Sequence, residues 1–170
     1  EDGSVQLSGA NFLLENALVY GSATPAVSVE GNSIVLRNNT LLSDGTQIRK
    51  RGSGNLTVEN NILMAGGSDN LCIQWDGGTL NSDYNNLVAT NGAWIGNRNG
   101  FWEKLAYWQR ESGKDLHSLS VDPKFANPAS RDYHLKSIQG RWTTSGWVTD
   151  TVHSACIDAG NPSSTYTNEP

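Results

Sequence analysis

The chain has 170 residues, with 18 glycines, 17% charged residues and a net charge of −5. That is long enough for one domain with a proper core, and too poor in charge for a typical helical globule. No stretch reaches the roughly 20 apolar residues that span a bilayer, and no long basic run offers nucleic acid a footprint, so neither membrane insertion nor nucleic-acid binding is expected.

In chain order, residues 12–19, 34–41 and 56–63 repeat one pattern at a spacing of 22, and residues 80–87 repeat it after 24. Each copy alternates apolar and polar side chains, kinks at an Asn-rich step, then turns apolar again. Between copies lie shorter strands, Val27-Ser28-Val29, Ile48-Arg49-Lys50, Ile73-Gln74-Trp75 and Ile95-Gly96-Asn97, followed by Gly31, Gly52, Gly77 and Gly100. Period-two alternation with such punctuation means strands. A leucine-rich repeat would need its L-x-x-L-x-L pattern and a helix, and a propeller blade roughly 40 residues. Residues 1–100 therefore predict an all-β fold, a right-handed parallel β-helix solenoid with coils of about 22 residues.

Asn16, Asn38 and Asn60 occupy the kink. A sharp bend calls for a residue that tolerates the left-handed backbone region, as Asn does. Stacked coils would set these three roughly 4.8 Å apart, and their amides are expected to bond as a ladder. The Asn38-Asn39-Thr40 and Asn55-Leu56-Thr57 sequons belong to the same repeat and read as structural.

Residues 100–112 predict a short helix, with Phe101, Leu105 and Trp108 on one face and Gly113 at its end. Trp102 and Trp108 are expected to pack on the solenoid. Residues 101–170 read as this helix plus a C-terminal coil and loop region of the same domain. Cys72 and Cys156 are too few for a disulfide scaffold; one bridge or two buried thiols both fit them.

The run Trp108-Gln109, Gly113, Asp115, His117-Ser118, then Asp122-Pro123-Lys124-Phe125, Asp132-Tyr133-His134-Leu135 and Cys156-Ile157-Asp158-Ala159-Gly160-Asn161-Pro162 resembles the C-terminal part of secreted bacterial right-handed parallel β-helix repeat proteins. The resemblance covers about half the chain. It implies a polysaccharide-lyase-like solenoid, an extracellular or cell-surface setting and contact with carbohydrate. Relatives carry a further Gly-rich strand that is missing here, and Glu1-Asp2-Gly3-Ser4 is no signal peptide, so the chain reads as a mature or excised fragment.

Candidate chemistry lies on the outer face of the second strand. Alternation turns Ser28, Arg49, Gln74 and Gly96 outward, and two residues on Glu30, Arg51, Asp76 and Arg98, in the order minus, plus, minus, plus. These rows form either a ladder of surface ion pairs or a groove in which Arg49, Arg51, Gln74, Asp76 and Arg98 hold an acidic polysaccharide. Strict alternation buries Lys50, an expensive place for an ammonium, so either the strand ends at Arg49 or a bulge turns Lys50 out. Outward, Lys50 would be the candidate base for β-elimination of a uronate. Glu30 and Asp76, two coils apart, are poorly placed as a hydrolase pair because Arg51 falls between them.

His117, His134 and His153 lack metal spacing, no acidic cluster has the spacing of a calcium loop, and no cofactor is expected. His117 and Ser118, with Asp115 and Asp122, suggest a hydrolase site, but the resemblance places them in a helix-exit motif, which implies that they fix a loop. Three functions fit: an extracellular module that binds polysaccharide, a segment of a polysaccharide lyase or glycoside hydrolase, or a structural unit that self-associates into a filament or adhesin stalk through open solenoid ends.

Overall fold

The computed structural model describes residues 4–21 and 24–164. Three strands make each coil. The first holds β1 (Val5–Ala10), β2 (Leu13–Glu15) and β3 (Leu18–Gly21); the second β4 (Val27–Asn32), β5 (Ile34–Arg37) and β6 (Thr40–Ser43). The third holds β7 (Ile48–Lys50), β8 (Asn55–Glu59) and β9 (Ile62–Gly66); the fourth β10 (Leu71–Trp75), β11 (Thr79–Asp83) and β12 (Asn86–Thr90). β13 (Trp94–Asn97) opens a fifth turn, and β14 (Phe101–Trp102) folds back antiparallel on it. Equivalent strands pair in parallel to give three sheets, β1-β4-β7-β10-β13, β2-β5-β8-β11 and β3-β6-β9-β12. The chain is a parallel β-solenoid.

Register follows the sequence repeat. Leu14, Leu36 and Val58 stack in one inward column, and Val19, Leu41, Leu63 and Leu87 in another. Below the first coil these side chains are 0–1% exposed. Each coil thus buries its aliphatic face on its neighbours, and stability is shared along the stack.

Asn16, Asn38 and Asn60 take φ of 54°, 55° and 58°, and Tyr84 holds the same corner on the fourth coil at 55°. The left-handed corner is where the repeat predicts it. The amide ladder is not: it runs one residue further on, through Asn39, Asn61 and Asn85, because the corner side chain turns away from the core and the next one turns in. Asn39 Oδ1 accepts the Ala17 N–H at 2.9 Å. Asn61 Oδ1 accepts both the N–H and the Nδ2–H of Asn39 at 3.0 Å, and Asn85 Oδ1 accepts those of Asn61 at 2.9 and 3.0 Å. The Nδ2 groups also donate to Leu14, Leu36 and Val58 carbonyls.

The ladder ends on Asp115, which is fully buried. Its Oδ1 accepts bonds from Asn85 Nδ2, Ser82 Oγ and Ser118 Oγ, and its Oδ2 accepts one from Trp108 Nε1 at 2.9 Å. Gln109 Nε2 bonds the Asp115 carbonyl. Asp115 and Ser118 therefore fix the loop as expected. α1 (Leu105–Ser112) stops at Gly113, φ +66°. It starts later than the sequence suggests, because Phe101 and Trp102 extend the sheet. Trp108 is completely buried over Gly96, where a Cβ would stand 2.7 Å from the indole.

That contact corrects one register expectation. Gly96, not Ile95, pairs with Ile73 and lies buried against Trp108; Ile95 is in the core as expected but one position earlier in register, and Asn97 stands beside Gln74. The Trp108 ring supplies the bulk that Gly96 lacks. Beyond α1, β15 (Phe125–Asn127) pairs with β16 (Asp132–Leu135), and β17 (Arg141–Thr143) with β18 (Gly146–Val148).

Lys50 is neither beyond its strand nor turned out by a bulge. It sits inside β7, in register with Val29 and Trp75, fully buried. The amine is satisfied by the corner, donating to the Arg51 carbonyl and to the Gly52 carbonyl at 3.1 Å. Trp75 does the same one coil on, with Nε1 donating to the Gly77 and Gly78 carbonyls. Lys50 is a corner cap rather than an outward base. Burial holds its ammonium below the ordinary lysine value of 10.5, against the pull of Glu30.

Two predictions follow from these contacts. Asn61→Gly removes the acceptor of two Asn39 N–H groups and the side-chain donor to the Leu36 carbonyl and the Asn85 amide oxygen, and should cost about 3 kcal/mol or more in urea unfolding, whereas Asn38→Gly, in a corner that suits glycine, should stay within about 1 kcal/mol. The folded pKa of Lys50 lies below the unfolded one, so between the two values the unfolded chain binds more protons and stability rises with pH. Urea midpoints should therefore climb from neutral pH toward 10.5 more steeply in the parent than in Lys50→Met; parallel curves would mean the amine is not desolvated.

Candidate functional site

The outer face of the β1-β4-β7-β10-β13 sheet carries the residues that sequence spacing singles out. Arg49 Nε donates to Gln74 Oε1 at 2.7 Å, Gln74 Nε2 to Asp76 Oδ2 at 2.8 Å, and Asn97 Nδ2 to Asp76 Oδ1 at 3.3 Å. The Arg98 guanidinium lies 4.3 Å from the centre of the Trp75 ring. Among the described residues no ion pair joins Glu30, Arg51, Asp76 and Arg98. The alternating charges thus give a hydrogen-bonded net of Arg49, Gln74, Asp76 and Asn97, with Arg51 exposed beside it.

A groove lies elsewhere, along the left-handed corner. One stretch is lined by Asn16, Asn38, Arg131, Tyr133 and His134. Another is lined by Glu15, Arg37, Glu59, Asn60 and Asn161, and a third, of about 300 Å³, by Asn60, Tyr84, Cys156 and Asp158. Asn38 borders all three, so they form one surface across four coils. The corner turns its side chains outward as one rim, and the C-terminal segment builds the other. Asn161 fastens that segment, its N–H donating to Asn60 Oδ1 at 2.8 Å and its Nδ2 to Glu59 Oε1 at 2.6 Å.

Register also places Glu15, Arg37, Glu59 and Asp83 in one outward row. Glu15 takes Arg37 in an ion pair at 2.6 Å. Asp83 holds His117: Oδ2 is 2.7 Å from Nδ1, while Oδ1 accepts the N–H groups of His117 and Tyr84 at 2.8 and 2.9 Å. The Tyr84 ring stacks on the imidazole at 4.9 Å and 8°. Partial burial pushes the Asp83 carboxyl up, but the bonds from His117 and Tyr84 outweigh it and hold the group below its ordinary range. An ionised carboxylate only accepts, so Nδ1 is the donor and the lone pair of a neutral imidazole falls on Nε2.

At the far end His134 Nδ1 meets Asp132 at 2.6 Å, and Arg141 ties Asp132 to Asp150. Arg141 belongs to the β17–β18 hairpin, which displays Trp142 and Trp147 opposite one another, 68% and 62% exposed. Cys72 and Cys156 are both free. Cys72 is buried in the core, which pushes its thiol up to about 12, and Cys156 lines the groove.

Sequence reading misses the Asp83, Tyr84 and His117 cluster because Asp83 and His117 lie 34 residues apart without a motif. Only coil register, which sets Asp83 beneath Glu15, Arg37 and Glu59, could have marked it.

Comparison with known proteins agrees with this architecture. A family model described as disaggregatase related matches residues 3–160. A curated relative, the uncharacterized protein YwoF of Bacillus subtilis, is 28% identical over 142 residues, covering 69% of this chain and 29% of its own length. The chain thus spans under a third of that relative. No solved structure matches. With nearly its whole described length under the family model, this parallel β-solenoid belongs to the disaggregatase-related family.

Proposed function

We propose that the solenoid binds a polysaccharide outside the cell, laid along the asparagine corner. The observation that carries this reading is a concave surface along the corner, lined in turn by Asn16 and Asn38, by Arg37 and Glu59, and by Tyr84 and Asp158, with the C-terminal segment crossing it at Asn60. Asn16 and Asn38 stand one coil apart, roughly 4.8 Å, close to the length of one sugar ring in an extended glycan, so their amides meet successive sugars. Amides, carboxylates and guanidinium groups suit hydroxyl-rich ligands. The exposed Trp142 and Trp147 rings, tied through Arg141 and Asp132 to the rim, offer apolar faces for stacking. The row at Arg49, Arg51, Gln74, Asp76 and Arg98 is a second polar face for the same ligand class.

Cleavage of the bound chain is a second reading, favoured by the Asp83–His117 pair, whose fixed tautomer leaves Nε2 as a base beside the groove. A lyase acting this way produces unsaturated uronates with ultraviolet absorbance.

Titration calorimetry against polygalacturonate, alginate, chondroitin sulfate and neutral glucans tests the binding. Asn38→Gly preserves the backbone corner while removing the amide, and should weaken binding about 3- to 10-fold; absence of binding across the panel contradicts the proposal. On any glycan that is cut, His117→Gln should lower the rate about 100-fold or more while binding persists; an unchanged rate removes His117 as the base.

A further inference from the structure

The stretch of chain that crosses the corner is lightly held. Ser154 is fully buried, and its N–H donates to the Lys136 carbonyl at 2.9 Å. Beyond it, none of residues 155–164 is buried. Their backbone bonds are local turns, from Ile157 N–H to the Ser154 carbonyl and from Ser164 N–H to the Asn161 carbonyl. Among the described residues, three hydrogen bonds tie this stretch to the solenoid, all on the side chains of Glu59 and Asn60. Asn161 N–H donates to Asn60 Oδ1 at 2.8 Å, Asn161 Nδ2 to Glu59 Oε1 at 2.6 Å, and Asn60 Nδ2 to Ser164 Oγ at 3.1 Å. The loop after α1 is held differently: Leu119 N–H donates to the Asn85 carbonyl, and the Leu119 carbonyl accepts the Leu87 N–H, as within a sheet. A segment with little burial and no backbone pairing to its support opens long before the core does.

We infer that residues 155–164 form a strap that a glycan lifts in order to lie along the whole corner; this rests on the glycan reading above. The three tethers fall in the middle of the concave surface, with Asn38 one coil to one side of Asn60 and Tyr84 one coil to the other. Gly160 lies across the Asn60 side chain, where an added Cβ would stand 3.3 Å from Cγ. The stretch beside Tyr84 is under the same strap, lined by Cys156 and Asp158. A chain of sugars running from Asn38 to Tyr84 therefore meets the strap at Asn60. The groups it would displace are chemically like its own. Sugar hydroxyls can donate to Glu59 Oε1 and Asn60 Oδ1 and accept from Asn60 Nδ2, so the exchange leaves no polar group unpaired. Strap and glycan compete for the same two side chains, and the apparent affinity scales with the fraction of molecules in which the strap is lifted.

Cys156 reports on the strap without any ligand. It sits on the strap, half-buried beside the groove, and burial pushes its thiol up. Cys72 is fully buried in the core, so a thiol-reactive dye added to the native chain reads Cys156 alone. Asn161→Ala removes the bond to the Glu59 carboxylate and should speed Cys156 labelling about 10-fold; Ser164→Ala should give a smaller rise. With polygalacturonate, alginate, chondroitin sulfate and neutral glucans, Asn161→Ala should tighten binding of any that bind by about 3- to 10-fold. Adding the same glycan to the parent should speed hydrogen exchange of the Asn161 N–H, although bound ligands ordinarily slow exchange. Unchanged Cys156 labelling in Asn161→Ala overturns the strap and leaves the glycan reading intact. So does a glycan that binds parent and variant equally while the Asn161 amide exchanges as slowly as before. Absence of binding by both proteins contradicts the glycan reading and the strap with it.

Discussion

A line of buried amides holds the coils in register. Asn39, Asn61 and Asn85 each bond forward and back, and the last delivers its Nδ2 proton to the Asp115 carboxylate. Aliphatic columns alone would tolerate sliding, because Leu, Ile and Val interchange at small cost. A buried amide that slips loses its partner and carries the full desolvation cost. The ladder therefore specifies where each coil sits, while the leucines and valines supply the burial. Asp115 gives the line an end: without an acceptor there, Trp108 Nε1 and the Ser82 and Ser118 hydroxyls would be left wanting.

The groove follows from the same local geometry. A left-handed residue at each corner turns one side chain out immediately before the ladder turns the next one in. The outward set, Asn16, Asn38, Asn60 and Tyr84, then forms a rim with the spacing of the coils. The C-terminal segment reaches this rim through Asn161, and the loop after α1 brings His117 onto Asp83. Cap and site are thus built by one stretch of chain. Asp115 and His117 are two residues apart, one wholly buried and the other exposed beside the groove.

Much of the fold is legible in the sequence because a solenoid writes its period into the chain. The 22-residue spacing gives the strands, the inward columns and the left-handed corner directly. Which Asn of the Asn-Asn pair enters the core is not legible, since both residues are the same and only backbone direction separates them. Lys50 reads wrongly because a burial rule for a lone ammonium ignores the two carbonyls that the next corner offers it. Gly96 misleads for the converse reason: its buried position is covered by Trp108, from an element 12 residues further on. The site at Asp83 and His117 depends on contacts between the fourth coil and a loop, which no local pattern encodes.

The stack of coils depends most heavily on the amide ladder, and native-state hydrogen exchange followed by NMR reads it directly. The backbone N–H groups of Asn39, Asn61 and Asn85 and the Nδ2 protons of the same residues should exchange only through global unfolding, far more slowly than the Nδ2 protons of Asn16 and Asn38. Exchange of the two sets at similar rates would show that the buried ladder does not hold the coils together.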